Sequence, residues 1–168
     1  LSQRYSLETA LIRKYPSEIA DTESRIKGLE TDIETAKKNT FPGENGFSPM
    51  VIMGVTYTEK ADAGNAILDI CSRITNQEPR KLGSYRGFDT DIGFDSFERE
   101  FYIKLRGELT YTVSLGKDAS GIIIRLDNAI EKLGTRKVSL EAELAELHKQ
   151  VENAKAQIAK PFPDEALL

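Results

Sequence analysis

The sequence predicts an α+β protein in which a long antiparallel helical hairpin, a coiled coil, carries a small antiparallel sheet domain at its tip. Three observations predict it: heptad-spaced apolar stripes at both ends of the chain, alternating apolar and polar residues in the middle, and clusters of Pro, Gly and Asn between them. A stripe of that period leaves apolar surface in water unless a second helix covers it, and the other end of the same chain supplies one.

The first arm spans residues 1–42. Its stripe is Ile12, Tyr15, Ile19, Thr22, Ile26, Leu29, Ile33 and Ala36, at alternating steps of three and four. Proline lacks an amide donor and suits a first helical turn better than a helix interior. A short helix over 2–14 is therefore expected to break or kink at Tyr15-Pro16, before a main helix over 17–39. Asn39-Thr-Phe-Pro-Gly-Glu-Asn-Gly46 then stops it.

The tip domain spans 47–121. Met50 to Tyr57 is apolar and β-branched between turn signals, which predicts a strand. Thr58 is suited to cap the next helix, where Ala63, Ala66, Ile67, Ile70, Cys71 and Ile74 form one buried face. Gly64 lowers helix propensity by about 1 kcal/mol relative to Ala, and close approach to the sheet is the expected compensation. Lys81 to Asp89 reads as an irregular, glycine-containing strand. Phe101, Ile103 and Leu105 then alternate with Glu100, Tyr102, Lys104 and Arg106. After a turn at Arg106-Gly107-Glu108, Leu109, Tyr111, Val113 and Leu115 alternate with Thr110, Thr112 and Ser114. That is a hairpin with one apolar and one wet face, so the insert reads β-α-β-β-β.

The second arm spans 122–160 as one helix. Its stripe is Leu126, Ile130, Leu133, Lys137, Leu140, Leu144, Leu147, Val151, Ala154 and Ile158, with Gly134 and Lys137 as weak points. Pro161 and Pro163 end it, and 161–168 read as a tail toward the rest of a longer polypeptide. The start at Leu1 rather than Met and the featureless end also read as those of an excised piece.

Composition narrows the function classes. A formal net charge of -4 argues against a strong general attraction for nucleic acid or anionic membranes. The longest apolar run, Ile122 to Ile124, is far too short to span a bilayer. The single cysteine, Cys71, excludes an internal disulfide and fits a reducing compartment. His148 is the only histidine and falls outside the apolar stripe, so thiol catalysis and a structural zinc site lack partners. Asp89, Asp91, Asp95 and Glu100 match positions one, three, seven and twelve of a calcium loop, but Phe94 stands where the turn glycine belongs, and a solvated loop is the expectation. No Gly-rich phosphate-binding signature occurs. No catalytic, metal or cofactor site is expected.

The candidate contact residues are basic and aromatic. Arg80, Lys81, Tyr85 and Arg86 cluster around the irregular strand, and Tyr102, Lys104 and Arg106 share the wet face of the hairpin. Such side chains on an open sheet stack bases and neutralise phosphate. Interleaved Asp89, Asp91, Glu98, Glu100 and Glu108 make an ordinary mixed-charge surface the stronger expectation, and a protein-binding surface is as compatible with these residues as a nucleic-acid one.

A series of short motifs occurs in order: Tyr15-Pro16, Met53-Gly-Val-Thr-Tyr-Thr-Glu-Lys-Ala-Asp-Ala-Gly64, Gly83-Ser-Tyr-Arg-Gly-Phe88, Leu115-Gly-Lys-Asp118, Arg125-Leu-Asp-Asn128, Asn153-Ala-Lys155 and Lys160-Pro-Phe-Pro163. Together they resemble a C-terminal segment of very large mobile-element proteins of Gram-positive bacteria, which combine a Swi/Snf-type helicase with an adenine DNA methyltransferase-like region. Gly121 is followed by Ile122 where that pattern has Gly-Asn, so no side-chain amide stands there. The resemblance implies the bacterial cytoplasm, an ATP-binding, DNA-processing parent and an accessory module outside the motor core. No ATPase or methylation motif of that family maps onto a residue of this chain, so it implies no catalytic or cofactor-binding residue.

The resulting expectation is a non-catalytic accessory module whose tip contacts DNA or protein, with the remainder of the parent as partner and no membrane. The alternative is a purely structural spacer or a homodimer formed through the coil.

Overall fold

The computed structural model describes residues 2–160, and the expected tail at 161–168 lies outside the described residues. The chain divides into two compact units, Leu1–Lys27 with Thr135–Leu168, and Gly28–Gly134.

The Gly28–Gly134 unit is built on a six-stranded antiparallel sheet of β1 (Met50–Ile52), β2 (Val55–Tyr57), β3 (Arg80–Tyr85), β4 (Phe88–Asp95), β5 (Glu100–Arg106) and β6 (Thr110–Ser114), in the order β2-β1-β3-β4-β5-β6. Two corrections to the expected β-α-β-β-β pattern follow. Met50 to Tyr57 is a hairpin rather than one strand, because Met53 (φ 50°) and Gly54 (φ 81°) form a two-residue left-handed turn. Phe88–Asp95, read as the end of an irregular strand and an acidic loop, is a central strand paired on both sides. Arg86 (φ 49°) and Gly87 (φ 88°) make the same kind of turn before it. The aspartates of β4 are compatible with a strand because Asp89 and Asp91 alternate to the open face, opposite Arg106 and Lys104 of β5.

Alternation puts Met50, Ile52, Tyr85, Phe88, Thr90, Ile92, Ile103, Leu105, Tyr111 and Val113 on the other face, all buried. α3 (Lys60–Arg73) and α4 (Ala119–Glu131) supply Ile67, Cys71, Ile122, Ile123, Leu126 and Ile130 to the same core. Gly64 does allow a close approach, but to the first turn of α4 rather than the sheet: a Cβ there would lie 1.9 Å from the Ala119 carbonyl oxygen. The N-cap of α3 is Glu59, whose side chain makes no capping bond to the helix, instead of Thr58. Asp118 caps α4 by accepting from the Gly121 amide at 2.8 Å.

Thr90 is fully buried, and among the described residues its Oγ1 has no hydrogen-bond partner. Replacing it with the near-isosteric valine removes an unpaired hydroxyl, so Thr90→Val is expected to raise unfolding free energy by about 1 kcal/mol in a urea titration. A loss of stability would show that the hydroxyl is bonded in solution.

The other unit is helical. α1 (Ser2–Thr9), a π-helical turn (Ala10–Lys14) and α2 (Tyr15–Lys38), whose residues from Gly28 on belong to the sheet unit, follow one another without interruption. The break expected at Tyr15-Pro16 is replaced by the π turn, in which the Tyr15 amide donates to the Ala10 carbonyl five residues back. Widening the helix here relieves the crowding that a proline ring imposes on the carbonyl four residues earlier. The extra residue also rotates the stripe: Ile12 is 73% exposed, and Leu7 and Leu11 take the shielded side ahead of Tyr15, Ile19, Thr22 and Ile26.

The single helix expected over the second arm is two, α4 and α5 (Leu133–Ala159), separated at Lys132. Along α5 from Thr135 onward, the shielded residues are Lys137, Leu140, Leu144, Leu147, Val151, Ala154 and Ile158, joined by Gln150. Apart from Gln150, these are the stripe residues read from the sequence. Arg4 Nη2 donates to the Ile158 carbonyl at 3.3 Å, and a groove is lined by Glu18 and Thr22 on one side and Glu143 and Leu147 on the other. Early residues of this unit thus lie beside late ones.

Candidate functional site

The open face of the sheet has a defined cross-strand order. Lys81, Asp91, Lys104 and Thr112 form one row across β3 to β6, and Ser84, Asp89, Arg106 and Thr110 form the next. Arg106 Nη1 meets Asp91 Oδ2 at 2.9 Å, a diagonal pair between rows. Tyr102 lies across Gly93: a Cβ at Gly93 would meet the phenol oxygen at 2.4 Å. The ring therefore fills the gap left by a residue without a side chain, and Lys104 Nζ sits 5.6 Å from its centroid. Ser114 Oγ donates to Glu100 Oε1 at 2.7 Å.

Of the seven candidate contact residues, Lys81, Tyr102, Lys104 and Arg106 share this face. Arg80 pairs with Ile92, so the register directs it to the opposite side, although it is exposed. Tyr85 and Arg86 belong elsewhere. Tyr85 is buried, and its hydroxyl donates to Asp127 Oδ1 at 2.5 Å. Burial pushes its phenol well above the ordinary range, reinforced by the Asp127 carboxylate and opposed by the Arg86 charge. The Arg86 side chain is 9% exposed and its donors are engaged: Nε to Thr40 Oγ1 at 2.9 Å, Nη1 to Asp127 at 3.2 Å, and Nη2 to Glu131 at 2.7 Å. This guanidinium ties the β3–β4 turn to the end of α2 and to α4. It would have to abandon three bonds to meet a phosphate.

A second anchor escapes sequence inspection. Asp32 of α2, 1% exposed, accepts from the amides of Glu108 (2.7 Å) and Leu109 (3.0 Å) and from the Tyr111 hydroxyl (2.5 Å). It therefore holds the β5–β6 turn. Its partners lie 76 to 79 residues away, so no local pattern announces them.

The remaining ionisable groups have local roles. Asp91 serves Arg106, and Asp95 Oδ1 accepts from the Phe97 and Glu98 amides. Among the described residues, no group of three or more His, Cys, Asp or Glu could hold a metal ion. Cys71 is buried, and desolvation, partly offset by a backbone hydrogen bond, raises its thiol pKa to about 11. His148 is exposed on α5. No helix among the described residues is long and apolar enough to cross a membrane.

Comparison with known proteins finds no matching family model, no similar curated protein and no similar solved structure.

Proposed function

We propose that this chain is a non-catalytic interaction module, in which the arms pair as an antiparallel coiled-coil hairpin and the sheet unit makes protein contacts through its open face. The observation that carries the reading is the order of charge on that face. Lys81 and Lys104 flank Asp91 in one row, and Arg106 faces Asp89 in the next. Alternating signs suit a partner surface of alternating signs, whereas a polyanion requires a continuous positive track. The Arg4–Ile158 bond and the groove shared by Glu18, Thr22, Glu143 and Leu147 support pairing of the arms within one chain. The motif resemblance supports a bacterial, cytoplasmic, DNA-processing parent to which the module is accessory.

The test titrates the 168-residue chain with single- and double-stranded DNA across a salt series, and separately probes its retention on the other segments of the parent polypeptide. Retention, lost in a Lys81→Glu, Lys104→Glu variant, together with no DNA affinity at physiological salt, is the expected result. Salt-dependent DNA binding abolished by the same variant would make the face a nucleic-acid surface and overturn the protein-contact reading. The spacer reading predicts neither binding event.

A further inference from the structure

We propose that the turn joining β4 to β5 is a self-association surface, at which Phe97 of one copy of this chain enters the groove beside the turn on a second copy. Phe97 is 90% exposed. Its turn is nevertheless built: Asp95 Oδ1 accepts from the Phe97 amide at 2.9 Å and the Glu98 amide at 3.2 Å, and Ser96 Oγ donates to Gln77 Oε1 at 2.8 Å. Arg99 adopts a left-handed φ of 56° to close it. A large apolar ring presented on a hydrogen-bonded turn is pre-organised to act as an aromatic anchor at an interface.

The groove next to it supplies a receptor. Ile74, Phe94 and Phe101 line it, with the two rings 4.9 Å apart, and Thr75 and Gln77 form part of its polar lining. Its volume is about 480 Å³, enough to admit an aromatic side chain. A knob adjacent to a hole on one surface is the arrangement that a two-fold axis satisfies twice, each copy giving its knob to the other's hole. The charges agree. Glu98 and Arg99, next to Phe97, have opposite signs and no ion pair among the described residues. In the proposed two-fold pair, Glu98 of one copy is the partner for Arg99 of the other.

Sedimentation velocity of the 168-residue chain from low to high micromolar concentration tests this. A reversible monomer–dimer equilibrium is expected, weakened at least about tenfold by Phe97→Ser. Glu98→Arg and Arg99→Glu should each weaken it, and the double exchange should restore it. Thr75→Trp, which obstructs the groove without touching the knob, should mimic Phe97→Ser and keeps the test readable if that variant proves unstable. A monomer at every concentration overturns the proposal. A dimer indifferent to Phe97→Ser and Thr75→Trp also overturns it and assigns association to another surface, such as the arms. Failure of the charge exchange to restore association overturns the two-fold pairing.

Discussion

Asp32→Ala is expected to lower unfolding free energy by about 3–5 kcal/mol. The carboxylate accepts from the Glu108 and Leu109 amides and the Tyr111 hydroxyl at 2.5–3.0 Å, within a site where Asp32 itself is 1% exposed. Hydrogen bonds to a charged acceptor are worth more than neutral ones, and truncation strands three donors at once. The close fit adds to the effect: Gly107 has no room for a Cβ, which would lie 2.2 Å from Asp32 Oδ1. Tyr111→Phe removes only one donor and should cost about 1–2 kcal/mol. The two changes should be non-additive in a double-mutant cycle, because they share an interaction. Urea unfolding of the four proteins measures this. A cost below about 1 kcal/mol for Asp32→Ala would mean that water replaces the carboxylate and that the turn is not anchored there.

Gly64→Ala is the second large effect, and two terms compete in it. Alanine in a helix interior gains about 1 kcal/mol of propensity over glycine. Its Cβ, however, would lie 1.9 Å from the Ala119 oxygen, 2.4 Å from the Ala119 carbonyl carbon and 2.8 Å from its Cα. These are backbone atoms in the first turn of α4, so no rotamer change clears them. The helices must separate, and overpacking of this kind typically costs 1–3 kcal/mol or more. Set against the propensity gain, the net expectation is a loss of up to about 2 kcal/mol, or more where the two helix backbones cannot separate, read by thermal or urea unfolding. Gly134→Ala is the control. It is helical, with open space around the added methyl, and should be neutral or stabilising by up to about 1 kcal/mol. Equal outcomes at the two positions would refute the close α3–α4 approach.

Several elements were legible because their signal is local. The α5 stripe emerges as the shielded side of that helix, and the β5–β6 hairpin alternates as read. The two misread strand boundaries share a cause. Met53-Gly54 and Arg86-Gly87 form left-handed turns without the Asn or Asp that usually marks them, so one strand boundary was hidden and β4 was merged with a loop. The aspartates of β4 argued for solvent, yet each of Asp89 and Asp91 has a cationic residue directly opposite on β5. Ile12 illustrates a different failure, since a π turn moves it off the stripe without altering the apolar pattern. Among the candidate contact residues, Tyr85 and Arg86 looked available only because Asp127, Glu131 and Thr40 are distant in sequence.

By itself, then, the sequence determined the helical character of most of α2, α3 and α5, the alternation of β5 and β6, the apolar side of α5, and the absence of a bilayer-length apolar run or an internal disulfide. Each of these depends on residue type at fixed spacing along one element. The tertiary structure alone decided the sheet order, the engagement of Arg86 and Asp32 as anchors, the alternation of charge on the open face, and the isolation of Phe97 beside a groove. Those properties arise from hydrogen bonds and packing between residues tens of positions apart, where the free energy of a side chain is set by what the fold brings next to it.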